Sequence, residues 1–323
     1  MWLTWRTAME RALYGDAGFY ARERPSGHFR TSVDTGAPFV DAVLALLLEV
    51  DKELGSPALV DFVDIGAGEG RLAAGVLAAV PPSLRSRLRV GAVELAPRPE
   101  RLPEEIAWHD RVPREITGLV IANEWLDNIP LDVAELAEDG PRLVMVDTET
   151  GRERLGDPVG PGDLRWIERW WPLARIGDRA EIGHPRDAAW AGVVSGLTEG
   201  RAVALDYAHP VDNRPTGGTV AAYRDGCLVP AVPNGTCDIT AHVALDACAE
   251  AGRRAGAIST TLSTQRDRLR ALGLTAERPP LELAHRDPPG YLRLLARASG
   301  EGELIDPYGL GGFGWLSQTV RAG

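Results

Sequence analysis

Asp64-Ile65-Gly66-Ala67-Gly68-Glu69-Gly70 follows an apolar run and opens a helical pattern that continues to about residue 80. The run, residues 58–65, is rich in Leu, Val, Phe and Ile, as a strand buried on both faces should be. A strand, a glycine turn and a crossover helix in that order begin a parallel α/β sheet. Glycine suits the turn because a side chain there would hold the backbone away from a ligand at the carboxyl end of the sheet. The dinucleotide fingerprint is G-x-G-x-x-G with a pyrophosphate on the helix N-terminus, whereas this turn reads G-x-G-x-G with an acid two residues before the first glycine. Such an acid repels a pyrophosphate and suits a cationic ligand without phosphate. S-adenosylmethionine, which carries an ammonium, a sulfonium and an adenosine, fits that description.

Outward from the turn, the alternation continues with strands at 88–94, around 106–108 and at 118–122, the last running into Asn123-Glu124. Upstream, residues 39–54 present an apolar helical face (Phe39, Val43, Leu46, Leu47, Val50, Leu54) that stops at Gly55 and Pro57, and residues 2–14 predict a short opening helix. Pro25-Ser26-Gly27 reads as a turn. After Leu131 the rhythm changes: alternating segments at 132–136 and 142–146 join through Glu138-Asp139-Gly140 as a hairpin, followed by tryptophans at 166, 170, 171 and 190, which fit a local core better than a recognition surface. A strand at 201–206 resumes the sheet, Asp238 is placed to cap a helix over 239–254, a strand–helix unit covers 257–272, and 312–320 closes as a strand.

The expected fold is α/β: a Rossmann-like doubly wound sheet with an inserted smaller subdomain and an N-terminal helical segment. The expected divisions are 1–57 for the helical segment, covering the cofactor site, 58–130 and 201–323 for the core, and 131–200 for the inserted hairpin and helical subdomain.

Composition narrows the class of function. Of 323 residues 44% are hydrophobic and 25% charged, enough apolar material for a sizeable core and too much for a disordered chain. The net charge of −11, with no Lys/Arg-dense segment, disfavours a nucleic-acid partner. Cys227, Cys237 and Cys248 are an odd number without the spacing of a zinc or redox pair, so the expectation is a reducing, cytoplasmic setting and no metal. The longest apolar run, residues 42–48, is far short of the roughly 20 residues of a membrane span.

Other residues group around the expected cofactor. Glu94 closes the second strand, where a carboxylate can accept hydrogen bonds from both ribose hydroxyls. His109 and Asp110 follow the third strand and could border the adenine. With Asp64, Gly66, Ala67, Gly68 and Gly70 in the turn, Asn123 is expected at the methionine moiety. Thr31 and Ser32 could cover the cofactor from the N-terminal side, or form a capping turn before the helix at 39.

The order of segments resembles the MidA family of class I methyltransferases over most of the chain. Met9-Glu10-Arg11-Ala12-Leu13-Tyr14 with Gly18-Phe19-Tyr20 matches the family's opening helix and turn, and leaves no room for a targeting presequence. Gly27-His28-Phe29-Arg30-Thr31-Ser32 is similar to the family's Gly-Asp-Phe-x-Thr-Ser, with His28 in place of the acid. Asn123-Glu124-Trp125-Leu126-Asp127-Asn128-Ile129-Pro130-Leu131 is similar to Asn-Glu-Phe-Phe-Asp-Ala-Leu-Pro-Val, and two further blocks agree, Leu205-Asp206-Tyr207 and residues 218–223 followed by 238–243. Tyr223 is not followed by the family's usual histidine and Glu94 is not followed by its usual Leu-Arg-containing helix, which leaves room for a diverged substrate.

The resemblance implies methylation of a protein arginine, with a respiratory-complex subunit as partner by family analogy. An arginine guanidinium is cationic at any ordinary pH and has no free lone pair until carboxylates localise its charge. Glu124 and Asp127, three apart beyond the fourth strand, are the expected acceptor residues, since a tight turn limited by Pro130 would aim both at one pocket. A helix-capping Asp127 with a solvated Glu124 is the alternative. Asp238 and His242, four apart on the expected helix, are further catalytic candidates, His242 as a proton acceptor. Asp206 and Tyr207 end the fifth strand at the functional edge. A small-molecule methyltransferase and a cofactor-binding assembly factor without turnover are the competing functions.

Overall fold

The structure, a computed structural model, describes residues 1–22 and 31–322. The turn expected at Pro25-Ser26-Gly27 and the stretch from Gly27 to Arg30 lie outside the described residues. In chain order the strands are β1 (Trp2–Thr4), β2 (Val60–Ile65), β3 (Leu88–Val93), β4 (Ile106–His109), β5 (Ile116–Asn123), β6 (Asp132–Ala137), β7 (Gly140–Asp147), β8 (Glu153–Pro158), β9 (Arg179–Ile182), β10 (Leu197–Asp206), β11 (Ala221–Arg224), β12 (Cys227–Val229), β13 (Asp238–Thr240), β14 (Ser259–Thr264) and β15 (Gly314–Val320). The chain forms two compact units. One holds residues 1–22, Glu124–Ser195 and Asp206–Ala257; the other holds residues 31–123, 196–205 and 258–322.

The second unit is built on a seven-stranded sheet of order β14-β15-β10-β5-β2-β3-β4. Strands β4, β3, β2, β5 and β10 pair in parallel, while β14 and β15 pair antiparallel at the edge. All six residues of β2 are buried, which is why its sequence is an apolar run rather than an alternation. From β2 the chain moves to β3 and β4 on one side and returns to β5 on the other, so the strand order reverses between β2 and β5. The helix Ala37–Glu53 buries Phe39, Val43, Leu46, Leu47 and Val50, the face read from the sequence. This is the expected Rossmann-like doubly wound architecture.

The first unit contains a five-stranded antiparallel sheet, β1-β7-β6-β9 with β8 beside β7, and a three-stranded sheet, β12-β11-β13. The hairpin read at 132–146 is β6 and β7. Trp5, Met9 and Leu13 of the helix Trp5–Tyr14 pack with Leu131, Val133, Val144, Val146 and Ile239. Trp166 and Trp171 form a second cluster with Ala180 and Ile182. The units are therefore divided otherwise than at 57, 130 and 200, because the apolar face of the opening helix joins residues 1–22 to the hairpin and to β13, while residues 31–57 fold with the large sheet.

One sequence expectation is corrected. Residues 239–254 are not a single helix capped by Asp238: Asp238–Thr240 is strand β13, and the helix is Leu245–Arg254. The β-branched Ile239 and Thr240 stand opposite Ala222 and Ala221 of β11, so the sheet takes their backbone groups before a helix can use them. His242 consequently does not share a helix face with Asp238. Among the described residues, no helix is long and apolar enough to cross a membrane.

Phe62 lies fully buried in the middle of β2, whereas Leu262 on the edge strand β14 is 48% exposed. Phe62→Ala should cost about 3–5 kcal/mol and Leu262→Ala under about 1 kcal/mol in urea denaturation. Equal losses would mean that the sheet's core is not centred on β2.

Candidate active site

The glycine turn leaves β2 at the reversal of strand order, where open α/β sheets bind ligands. Gly66, Gly68 and Gly70 all have φ between +54° and +72°, in the left-handed region. The amides of Gly66 and Ala67 donate to the carbonyl of Val93, which folds the turn over the end of β3. A Cβ at Gly70 would strike the Leu102 side chain at 2.7 Å, while one at Gly68 would project into open space. Glycine at position 70 is thus required by packing as well as by its φ, and Gly68 leaves a cradle beside a bare backbone.

Asp64 is buried inside this turn, and its carboxyl accepts the amide of Ala73, the third residue of the helix Arg71–Ala79. It acts as a side-chain cap on the crossover helix. Burial, with a smaller contribution from Glu94, pushes its pKa up to about 7. The carboxylate that embraces the turn is Glu94: Oε2 accepts the Gly68 amide at 3.0 Å, and Oε1 accepts those of Leu95 and Ala96. Asp64 thus faces the crossover helix, and Glu94 is the carboxylate that receives the amides of the turn.

His109 ends β4 beside Gly91, and its carbonyl accepts the Glu94 amide. Asp110 is exposed and bonded to Arg111, which holds its carboxyl below the ordinary range. Asn123 is the buried last residue of β5, in register with Leu205 of β10. Thr31 forms a reciprocal capping turn with Asp34, which in turn pairs with Arg71, the first residue of the crossover helix. Ser32 is fully buried and donates to Gln265. Both residues thus build the capping turn that the sequence left as an alternative. The eleven cofactor candidates all belong to the second unit.

The catalytic candidates all belong to the first. Glu124 follows Asn123 directly and adopts φ of 51°, a rare conformation for a side chain of its size. Asp206, buried, accepts the amides of Leu126 and Asp127 on Oδ2 and that of Tyr207 on Oδ1, which fixes the turn after Glu124. Asp127 is itself buried. Its Oδ2 accepts the Thr240 hydroxyl at 2.6 Å, and its Oδ1 has no hydrogen-bond partner among the described residues. Burial raises the pKa of both Asp127 and Asp206, and Asp127 raises that of Asp206 further.

Asp238 accepts the Tyr20 hydroxyl at 2.8 Å and the Asn128 amide at 3.1 Å, and burial pushes it up to about 7. The structure thereby joins Asp238 to the turn of Asp127 and Asn128, by a route different from the expected helix. His242 lies 2.5 Å, Nδ1 to Nε2, from His209. The two rings are nearly coplanar, at 19° with centroids 4.6 Å apart, which is the geometry of an in-plane hydrogen bond. Burial lowers the pKa of His242 to about 4, so it is neutral near pH 7. Tyr207 stacks on His242 with ring centroids 5.3 Å apart.

Sequence reasoning missed His209, Glu181 and Arg186. Glu181 is buried and accepts the Thr219 amide and hydroxyl, and the same hydroxyl accepts the His242 amide. The guanidinium of Arg186 donates to the carbonyls of Asp127, Ile129, Ala241 and His242. None of these has a motif spacing to reveal it. A cavity of about 270 Å³ in this unit, lined by Trp5, Glu153, Arg179 and Glu181, holds none of the catalytic candidates, and Arg179 in it already pairs with Glu135 and Glu153. Among the described residues no group of three or more His, Cys, Asp or Glu could hold a metal ion.

Asp238 supplies a pH signature. Its folded pKa of about 7 lies above the ordinary 3.8, so between about pH 4 and 7 the folded chain holds a proton that the unfolded chain has lost. The associated stability is complete below that window and lost as pH rises through it. Asp64, also near 7, and Asp187, near 6, slope the same way. Asp238→Asn should flatten part of the slope and gain at most about 4 kcal/mol over the parent at the alkaline end. Urea denaturation at several pH values between about 5 and 8 measures this, and parallel curves for parent and variant would contradict it.

Residues 44–263 match the family described as "Putative S-adenosyl-L-methionine-dependent methyltransferase". No curated protein matches the chain. Among solved structures it is similar to a protein from Burkholderia thailandensis bound to S-adenosyl-homocysteine, at 25% identity and a TM-score of 0.81 over 98% of this chain and 88% of that one. A native crystal structure of an uncharacterized superfamily protein from Burkholderia thailandensis is similar at 26% identity and a TM-score of 0.79, over 98% and 87% of the two chains. S-adenosylmethionine is accordingly the cofactor, and the glycine cradle fits it. The chain belongs to the S-adenosylmethionine-dependent methyltransferase family whose model spans residues 44–263.

Proposed function

We propose that this methyltransferase acts on a protein side chain and that the side chain is arginine. The observation that carries the reading is Asp127, a buried carboxyl with one oxygen on Thr240 and the other without a partner among the described residues. A cationic N–H donor is the group such an oxygen lacks. Glu124, three residues earlier, supplies a second carboxyl. The likeness to the MidA family over residues 123–131 supports arginine in particular, and by that analogy alone the partner would be a respiratory-complex subunit; the three free cysteines support a reducing, cytoplasmic setting.

When bound, the cofactor supplies an electrophilic methyl on a sulfonium. On this reading Gly66, Ala67, Gly68 and Gly70 line it with backbone, Asp64 supports the turn, and Glu94 shares its carboxylate between the Gly68 amide and the ribose hydroxyls. His109 and Asp110 border the adenine, Asn123 meets the methionine end, and the turn of Thr31 and Ser32 closes the N-terminal side. Glu124 and Asp127 would draw the guanidinium charge away from the attacking nitrogen. A guanidinium nitrogen that takes up a methyl would give up a proton. His242, neutral near pH 7, accepts it, while Asp238 holds Asn128 next to Asp127.

Two experiments test the reading. Radiolabelled methyl transfer into a host-cell lysate, read by mass spectrometry, should place label on arginine. Label on a small molecule, or none, would refute the protein acceptor. Asp127→Asn should keep cofactor affinity while slowing transfer at least about tenfold, and parent-level transfer would remove Asp127 from the acceptor site. For the cradle, Gly68→Val adds a side chain at φ of +54° in open space. Its affinity for S-adenosylhomocysteine by calorimetry should fall at least about tenfold, and unchanged affinity would move the site elsewhere.

A further inference from the structure

The residues assigned to the acceptor site sit on two loops of the first unit that follow different strands. Asp127 and Ile129 lie in the turn after β5, and Ala241 and His242 follow β13. The loops touch directly through the Ala241 amide, which donates to the Asp127 carbonyl at 3.2 Å, and through Thr240 and the Asp127 carboxyl. Arg186, the third residue of the helix His184–Gly196, is 2% exposed and reaches both loops at once. Its Nε donates to Ile129 O at 3.1 Å, one Nη to Ala241 O at 2.7 Å and His242 O at 2.8 Å, and the other Nη to Asp127 O.

These four acceptors are neutral carbonyls. A buried cation placed on carbonyls is expensive unless acids stand near, and Asp127, Asp206 and Glu181 provide that field. The arrangement needs a planar fork of five donors, which lysine does not have.

We propose that Arg186 is a positioning residue for the acceptor site, holding the Asp127 loop and the His242 loop in fixed register and bringing a positive charge to the acids between them. This rests on the reading of Asp127 and His242 as acceptor-site groups, and it assigns no contact between Arg186 and either substrate.

Arg186→Lys keeps a cation without the fork, and Arg186→Met removes both. Hydrogen–deuterium exchange of the purified chain should speed at least about tenfold in peptides covering 126–130 and 240–243 of Arg186→Lys, with affinity for S-adenosylhomocysteine within about threefold of the parent. Methyl transfer from radiolabelled S-adenosylmethionine into lysate protein, at saturating cofactor, should fall at least about tenfold in both variants.

The pH profile separates position from charge. Asp127 is faced by Thr240 from β13, Arg186 from the helix, Asp206 from the end of β10, and Asp238, Tyr20 and Tyr207 nearby. Removing the cation leaves carboxyls facing carboxyls, so the acidic limb of transfer should move to higher pH in Arg186→Met and stay in place in Arg186→Lys. Should Arg186→Met fail to fold, Arg186→Lys decides by exchange and transfer. Exchange that is unchanged, or faster throughout the chain, overturns the proposal, as does parent-level transfer in Arg186→Lys. If the parent itself labels no lysate protein, the protein-acceptor reading fails, and the exchange measurement still decides the role of Arg186.

Discussion

A parallel sheet that grows outward in both directions from one strand must part its crossover loops at that strand. In the second unit that strand is β2, flanked by β3 and β5, and everything proposed for the cofactor follows from its carboxyl end. The turn cannot rise straight out of the sheet, because the Val93 carbonyl captures the amides of Gly66 and Ala67 and the helix starts at Arg71. Only glycine reaches the required left-handed angles in succession. Glu94 follows the next strand and Asn123 ends the strand on the other side, so the sheet order itself gathers residues about thirty and about sixty positions further along the chain than Asp64.

The first unit solves a different problem. It buries Asp127, Asp206, Asp238 and Glu181 with Arg186, a concentration of charge that an apolar core would reject. Each acid is given donors before any partner charge: three backbone amides for Asp206, Tyr20 and Asn128 for Asp238, and Thr219 with Val220 for Glu181. Burial raises the carboxyl pKa values of all four acids, and the Asp127 carboxyl adds to the rise at Asp206 and Asp238. Asp127 departs from this pattern, since one of its oxygens has no hydrogen-bond partner among the described residues.

Legibility in the sequence followed the range of the interaction. The apolar run of β2, the glycines after it and the amphipathic face at 39–54 are set by neighbours within a few residues, and they read correctly. Asp238-Ile239-Thr240-Ala241-His242 misled because its local signal, an acid before a helical pattern, competes with β11, whose pairing is invisible until the chain is folded. The role of Asp64 was half legible: its position before the glycines is a motif, but whether it faces ligand or helix depends on Ala73, nine residues away around a turn. Arg186, Glu181 and His209 carried no signal at all. They act through contacts 33 to 59 residues distant in sequence, and a lone arginine at the start of a helix resembles any surface arginine among the 35 basic residues.

The acid cluster also bears on which acceptor the first unit suits. A neutral small molecule would leave the second Asp127 oxygen unpaired and gain nothing from Glu124, while an ammonium would present its charge as a point that one carboxylate can satisfy. A guanidinium spreads five donors in a plane and uses two carboxyls to withdraw charge from the third nitrogen. On the proposed reading, Asp127 fixed on Thr240 and Arg186 and Glu124 held in a strained backbone conformation form a pair set before substrate arrives, which lowers the reorganisation a reaction would otherwise require. Arginine as acceptor is in this sense the choice that leaves the fewest buried groups unexplained.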